Sequence, residues 1–168
     1  MRRHWVLVGL MGSGKTTVGA LLAQRSARPF FDNDVQLNAS EGRTAREVQA
    51  DLGFDALHAL EAHALIDALD TATPAVIAAA ASVVDDPELR ARLRDDAVVI
   101  WLTANTDELS RRVVRQHHRP IAPDVASQLR DQSAARSQLF GDLADVVIDA
   151  RRPPGDLVDE LLPRLTAG

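Results

Sequence analysis

Apolar residues fall along the chain in two alternating rhythms: short unbroken runs, and longer stretches at helical spacing. The runs are Trp5-Val6-Leu7-Val8, Pro29-Phe30-Phe31, Ala75-Val76-Ile77-Ala78, Ala97-Val98-Val99-Ile100-Trp101-Leu102 and residues 145–149, each of a length that suits a buried strand. Between them, Val18, Leu21 and Leu22 mark a helix over 17–25, and Leu57, Leu60, Leu65 and Leu69 mark another over 54–69. Start signals supply the rest. Thr44 with Glu47 reads as a capping box, Asp86-Pro87 as a cap followed by a first-turn proline, and Asn105 with Glu108 as the opening of a helix to about 115. Asp124 opens a helix through the region of 136, and the turn Arg151-Arg152-Pro153-Pro154-Gly155 precedes a last helix ending near 164. Five strands alternating with helices predict an α/β fold, a three-layer α/β/α arrangement around a five-stranded parallel sheet, in one domain spanning 1–168. Two helices, at about 44 and over 54–69, are expected after the second strand.

Composition narrows the partners. At 168 residues and 46% hydrophobic content the chain has material for one core, and no cysteine is present to form a disulfide or a thiolate metal site. A formal net charge of −5 argues against nucleic acid or an anionic membrane as partner, so a small molecule is expected, bound by a monomer. The apolar run after Met1-Arg2-Arg3 is too short for a secretory segment, and the expected location is the cytoplasm.

Candidate chemistry concentrates between the first strand and first helix. Gly9-Leu10-Met11-Gly12-Ser13-Gly14-Lys15-Thr16 fits the phosphate-loop pattern of glycine, four residues, glycine, lysine and a hydroxyl residue. Gly12, Ser13, Gly14, Lys15, Thr16 and Thr17 are therefore the predicted phosphate contacts for ATP. Glycines allow backbone N–H groups to turn toward a triphosphate, lysine neutralises its outer oxygens, and Thr16 offers a hydroxyl to Mg²⁺. Lys15 is also the one lysine among nineteen basic residues. A compact ammonium suits the tight loop where arginine's planar fork does not.

The second strand ends in Asp32-Asn33-Asp34, which the α/β topology places beside that loop. Asp32 is expected to share Mg²⁺ with Thr16, through water, and Asp34 to orient and deprotonate an acceptor hydroxyl. Arg111, Arg112, Arg115 and Arg119 gather into a basic patch in an otherwise acidic chain, as a segment closing over a triphosphate requires. Arg119 and Lys15 are expected to stabilise charge on the transferring phosphoryl group. His117-His118 has no companion metal ligand nearby and receives no role.

With these residues in hand, the chain resembles the shikimate kinases, a branch of the nucleoside-monophosphate-kinase-like P-loop NTPase fold. The likeness rests on the loop at 9–16, Asp32 and Asp34, Arg119-Pro120, and Arg136 ahead of Leu139-Phe140, and it spans nearly the whole chain. The resemblance implies a lid at about 112–123 and acceptor-binding helices at about 33–70. It also implies adenine contacts from Arg112, Arg152 and Pro154, and acceptor contacts from Asp34, position 58, position 80 and Arg136. The expected reaction moves the ATP γ-phosphoryl group to a hydroxyl of a small polar metabolite, shikimate or a related hydroxy acid or cyclitol. A gluconate-type sugar-acid or polyol kinase shares the loop and aspartates, and a nucleotide-binding regulator without phosphotransfer is the alternative of another class.

Two acceptor elements depart from the family pattern. His58 stands where the family carries arginine, and Ala79 to Ala81 stand where it carries three glycines. Ala80 and its neighbours add methyl groups to the pocket, and a histidine that is mostly neutral at pH 7 removes a bidentate clamp on a carboxylate. Weak use of shikimate itself is expected.

Overall fold

Strand β1 (His4–Val8) occupies the centre of the sheet, and all five of its residues are buried. Helices cover both faces of a parallel sheet, so its strands read as continuous apolar runs rather than alternating ones. The computed structural model describes residues 4–115 and 124–167. After β1 come α1 (Lys15–Ser26), β2 (Phe30–Asp32), α2 (Asn33–Glu41), α3 (Ala45–Leu52), α4 (Phe54–Leu69), β3 (Val76–Ala78) and a 3₁₀ turn (Ala81–Asp85). They are followed by α5 (Pro87–Asp96), β4 (Ala97–Thr103), α6 (Thr106–Arg115), α7 (Val125–Leu143), β5 (Val146–Asp149) and α8 (Pro154–Thr166).

The sheet order is β2-β3-β1-β4-β5, with every pairing parallel. The chain therefore builds outward on one side of β1 and then crosses to the other. Such a reversal opens a crevice at the carboxyl ends of the central strands, where ligands bind in folds of this kind. One face is covered by α1 and α8, whose Val18, Leu22, Leu157 and Leu161 pack on Leu7, Ile100 and Ile148. The opposite face carries Leu65, Leu69, Leu93, Leu109, Leu129 and Phe140 from α4 to α7 against Val6, Val8, Ile77 and Val99. Three layers result, as the alternation predicts. A small separate cluster of Leu37, Val48 and Leu57 joins α2, α3 and α4 into a unit above the edge of the sheet.

The predicted start signals work as read. Thr44 and Glu47 close a complete capping box on α3, Asp86 accepts from the N–H groups of Glu88 and Leu89, and Asn105 accepts from Glu108 N–H at 2.8 Å. One expectation needs correction: three helices, not two, follow β2. The additional one is α2, capped by Asp32, whose carboxylate accepts from the N–H groups of Asp34 and Val35. Of the expected lid, residues 112–115 end α6, while 116–123, with His117, His118 and Arg119, lie outside the described residues.

Leu22, fully buried between α1 and the sheet, gives a direct test of this packing. Leu22→Ala should lower unfolding free energy by about 2–5 kcal/mol through lost burial and a residual cavity. Urea titration should show a lower midpoint with unchanged slope. An unchanged midpoint would remove α1 from the core.

Candidate functional site

The loop joining β1 to α1 has a shape that only glycine permits at its two ends. Gly9 sits at φ +146, and a Cβ there would lie 2.7 Å from the carbonyl oxygen of Leu102. Gly14, at φ 95 and ψ 17, turns the chain into α1 through a left-handed conformation. The first turn of α1 has no side-chain cap and no acidic residue. Its N–H groups and the positive end of the helix dipole are thus presented to an anion. Lys15 curls over this loop, its Nζ donating to the carbonyl oxygens of Gly9 at 2.8 Å and Leu10 at 3.1 Å. The ammonium is held where phosphate oxygens would sit, and the loop fits the triphosphate expected from its sequence.

One turn further along, Thr16 Oγ1 donates to Asp32 Oδ2 at 2.6 Å. The bond draws the start of α1 to the end of β2. The other oxygen, Oδ1, caps α2, so Asp32 is both a helix cap and a partner of the phosphate loop. A hydroxyl and a carboxylate side by side next to a phosphate cradle form a donor set that suits Mg²⁺, which takes few protein oxygens and completes its octahedron with water and phosphate. No group of three or more His, Asp or Glu side chains arranged to hold a metal occurs among the described residues.

Beyond the loop a single cavity of about 520 Å³ continues across the carboxyl ends of β1, β2 and β3. Gly12, Gly14, Lys15, Thr16 and Thr17 line one end; Asp34, His58, Ala80 and Arg136 line the other. Sequence-predicted phosphate and acceptor residues therefore share one space. Asp34 is exposed in the first turn of α2 and lines the cavity. His58 is half-buried, with its ring centroid 6.0 Å from that of Phe54.

The alanine stretch has ordinary backbone. Ala80 adopts φ −63, ψ 150, and no residue from Ala78 to Ala81 has a positive φ, so glycine is not needed for the chain path. The Ala79 N–H donates to Leu7 O at 3.0 Å, which spends it on the sheet. Arg112 lies outside the cavity wall and bridges two neighbouring segments: it donates to Glu108 at 2.9 Å, to the carbonyl of Ala150 at 2.7 Å and to that of Gly12 at 3.4 Å. It thereby ties the phosphate loop to the turn before α8. On that turn, Arg152 is ion-paired with Glu160 and Pro154 opens α8.

Sequence reasoning missed several polar residues on the cavity wall, Glu61, Asn33 and Asp131 among them. Glu61 is only 9% exposed and accepts a hydrogen bond from Ser82. Burial pushes its carboxyl above the ordinary range, with the Ser82 bond opposing. Asn33 donates to the Glu61 carbonyl at 2.8 Å, while its own Oδ1 is buried without a partner. Asp131, on α7, closes the same wall. Glu61 had a signal in sequence, since it lies three residues after His58 on one helical face. Asn33 and Asp131 had none.

Comparison with known proteins adds to this geometry. The family model described as shikimate kinase matches residues 11–166. The chain is 39% identical over 165 residues to a shikimate kinase of Symbiobacterium thermophilum, covering 95% of this chain and 94% of that protein. It is 37% identical over 167 residues to a shikimate kinase of Bordetella pertussis, covering 96% and 77%. Among solved structures it superimposes on a shikimate kinase from Acinetobacter baumannii in complex with shikimate with a TM-score of 0.91 and 25% identity, over 99% and 94% of the two chains.

Glu61 yields a prediction with a definite sign. Its folded pKa is raised, so the native state holds its proton more tightly than the unfolded chain does. Stability is retained below the ordinary value of 4.5 and lost as pH climbs from there through the folded pKa. Unfolding free energy measured against pH for wild type and Glu61→Gln should show wild type losing ground to the variant across that window. A constant difference, or the opposite slope, would contradict the assignment.

Proposed function

The chain belongs to the shikimate kinase family, and on that premise we propose that it transfers the γ-phosphoryl group of ATP to a hydroxyl of a small polar metabolite, shikimate or a related hydroxy acid or cyclitol. The observation that carries this reading is the continuity of one cavity from the phosphate loop to Asp34, because direct transfer requires donor and acceptor side by side.

In this reading the triphosphate lies on the loop amides, the N-terminus of α1 and Lys15, and a bound Mg²⁺ would supply further neutralisation of phosphate charge. Thr16 and Asp32 would hold the ion. Asp34 accepts the proton of the acceptor hydroxyl as that oxygen attacks the γ-phosphorus. The bond from γ-phosphorus to the bridging oxygen breaks, and ADP leaves with the electron pair. Arg119, assigned from sequence, stabilises charge on the transferring group. Arg112, Arg152 and Pro154 border the adenine. The acceptor rests against His58, Ala80 and Arg136. No helix among the described residues is long and apolar enough to cross a membrane, and we place the enzyme in the cytoplasm, acting as a monomer. The intact set of Lys15, Thr16, Asp32 and Asp34 supports phosphotransfer over a purely regulatory nucleotide site.

Lys15→Ala should abolish phosphotransfer while leaving the unfolding midpoint close to wild type, since the ammonium lies over the phosphate loop, bonded to the carbonyls of Gly9 and Leu10, rather than in the hydrophobic core. Arg119→Ala should lower kcat by about 10²-fold or more, as removal of one charge-stabilising donor does elsewhere. Coupled ADP-release assays on folded variants check both. Near-normal turnover by Lys15→Ala would refute the loop's role, and an unchanged kcat would remove Arg119 from the mechanism.

A further inference from the structure

The cavity-facing side of α4 is one stripe that climbs from the floor of the pocket to its mouth. Phe54, His58 and Glu61 follow one another at intervals of four and three residues, which puts them on one face of the helix, and all three line the cavity. Exposure grades along the stripe: Glu61 is 9% exposed, His58 half-buried and Phe54 59% exposed. The helix itself is anchored elsewhere, by Leu57 in the small cluster with Leu37 and Val48 and by Leu65 and Leu69 against the sheet. Phe54 is in none of these clusters.

Such a placement is exceptional in this chain. Of its four phenylalanines and two tryptophans, all among the described residues, Phe54 alone is exposed. Its ring is nonetheless held at the pocket. Gly53, at φ 88 and ψ 175, separates α3 from α4, so Phe54 opens α4 as its first helical residue. The ring then tilts 52° against that of His58, with centroids 6.0 Å apart, a separation that suits an edge-to-face aromatic contact. Helix α7 adds Gln128, Asp131, Gln132 and Arg136 to the same lining, and Arg136 is fixed by Asp85, whose carboxylate accepts from Nη2 at 2.7 Å.

A wall that joins one aromatic surface to amides and charged groups suits a ligand with the same two characters, hydroxyls at its edge and an apolar carbon face. A carbon ring has such a face already formed. An open chain rotates about every bond and loses that freedom when it is pressed flat. Resting on the kinase reading above, we infer that Phe54 is a specificity-determining residue that lies against the carbon face of the acceptor ring. The apolar surface that the free protein leaves in water at this point is what the ring covers on binding. Phe54 therefore favours cyclic acceptors over open-chain sugar acids.

The test measures calorimetric Kd in the presence of a non-hydrolysable ATP analogue, together with kcat and KM, for shikimate, myo-inositol and gluconate. Wild type is compared with Phe54→Ala and Phe54→Tyr. Phe54→Ala should weaken shikimate binding and raise its KM by about tenfold or more with a smaller change in kcat, because a contact with a non-reacting face is made equally in ground and transition states. Phe54→Tyr, which keeps the ring, should stay within about threefold of wild type. Gluconate, where bound, should respond to Phe54→Ala by less than about threefold. The Kd of the ATP analogue and the unfolding midpoint should not move in either variant, which separates contact with the acceptor from support of the fold. Shikimate affinity indifferent to Phe54→Ala, an equal loss for gluconate, or a wild type that binds neither ring overturns the inference. If a ring is bound with this dependence on Phe54 and no phosphoryl group is transferred to it, the kinase reading fails and the role of Phe54 stands.

Discussion

The hydrogen bond from Thr16 to Asp32 is the constraint on which the site depends. It is short, at 2.6 Å, and it joins the first turn of α1 to the last residue of β2 across the third strand that separates β2 from β1 in the sheet. Because Asp32 also caps α2, one carboxylate fixes the phosphate loop, the end of a strand and the start of α2 relative to one another. Asp34 then stands two residues along the capped helix, at a position set by backbone geometry. A phosphoryl acceptor needs placement to within a fraction of an ångström, and rigid elements tied at their ends provide it better than loops do.

The layers of the fold were legible from sequence because two rhythms alternate cleanly. Strands buried on both faces appear as solid apolar runs, and strong caps at Thr44, Asp86 and Asn105 mark helices that the structure places where they were read. Helix α2 escaped for a physical reason. Of its nine residues only Asn33 and Leu37 are buried, while Val35 faces solvent, so it has no apolar stripe for a periodicity to reveal. It is held by its cap and by a single leucine in the small cluster with Val48 and Leu57.

Legibility of the site followed sequence distance. The phosphate loop is a local motif whose chemistry is contained in eight consecutive residues, and the structure brings its Lys15 and Thr16 into one cavity with Asp34, His58, Ala80 and Arg136. The acceptor wall depends on pairings between distant residues: Glu61 with Ser82, Asn33 with the Glu61 backbone, Arg136 with Asp85. None of these leaves a mark on either partner's neighbours. Asp85 in particular reads as one more acidic residue ahead of a proline-started helix, and its charge acquires meaning only when α7 brings Arg136 to it. The alanines that stand in place of the family's glycines follow a backbone path open to any residue, and they line the cavity.

Loop, bridging carboxylate and the residues around Asp34 all line one continuous cavity, and under the proposed function transfer is a single displacement with no covalent enzyme intermediate. The most direct measurement is the stereochemical course at phosphorus, using ATP made chiral at the γ-position with sulfur and oxygen isotopes and an acceptor that the enzyme turns over. In-line transfer between two substrates bound together inverts the configuration. Inversion is the predicted result; retention would mean two successive displacements through a phosphorylated protein group and would contradict the shared-cavity account.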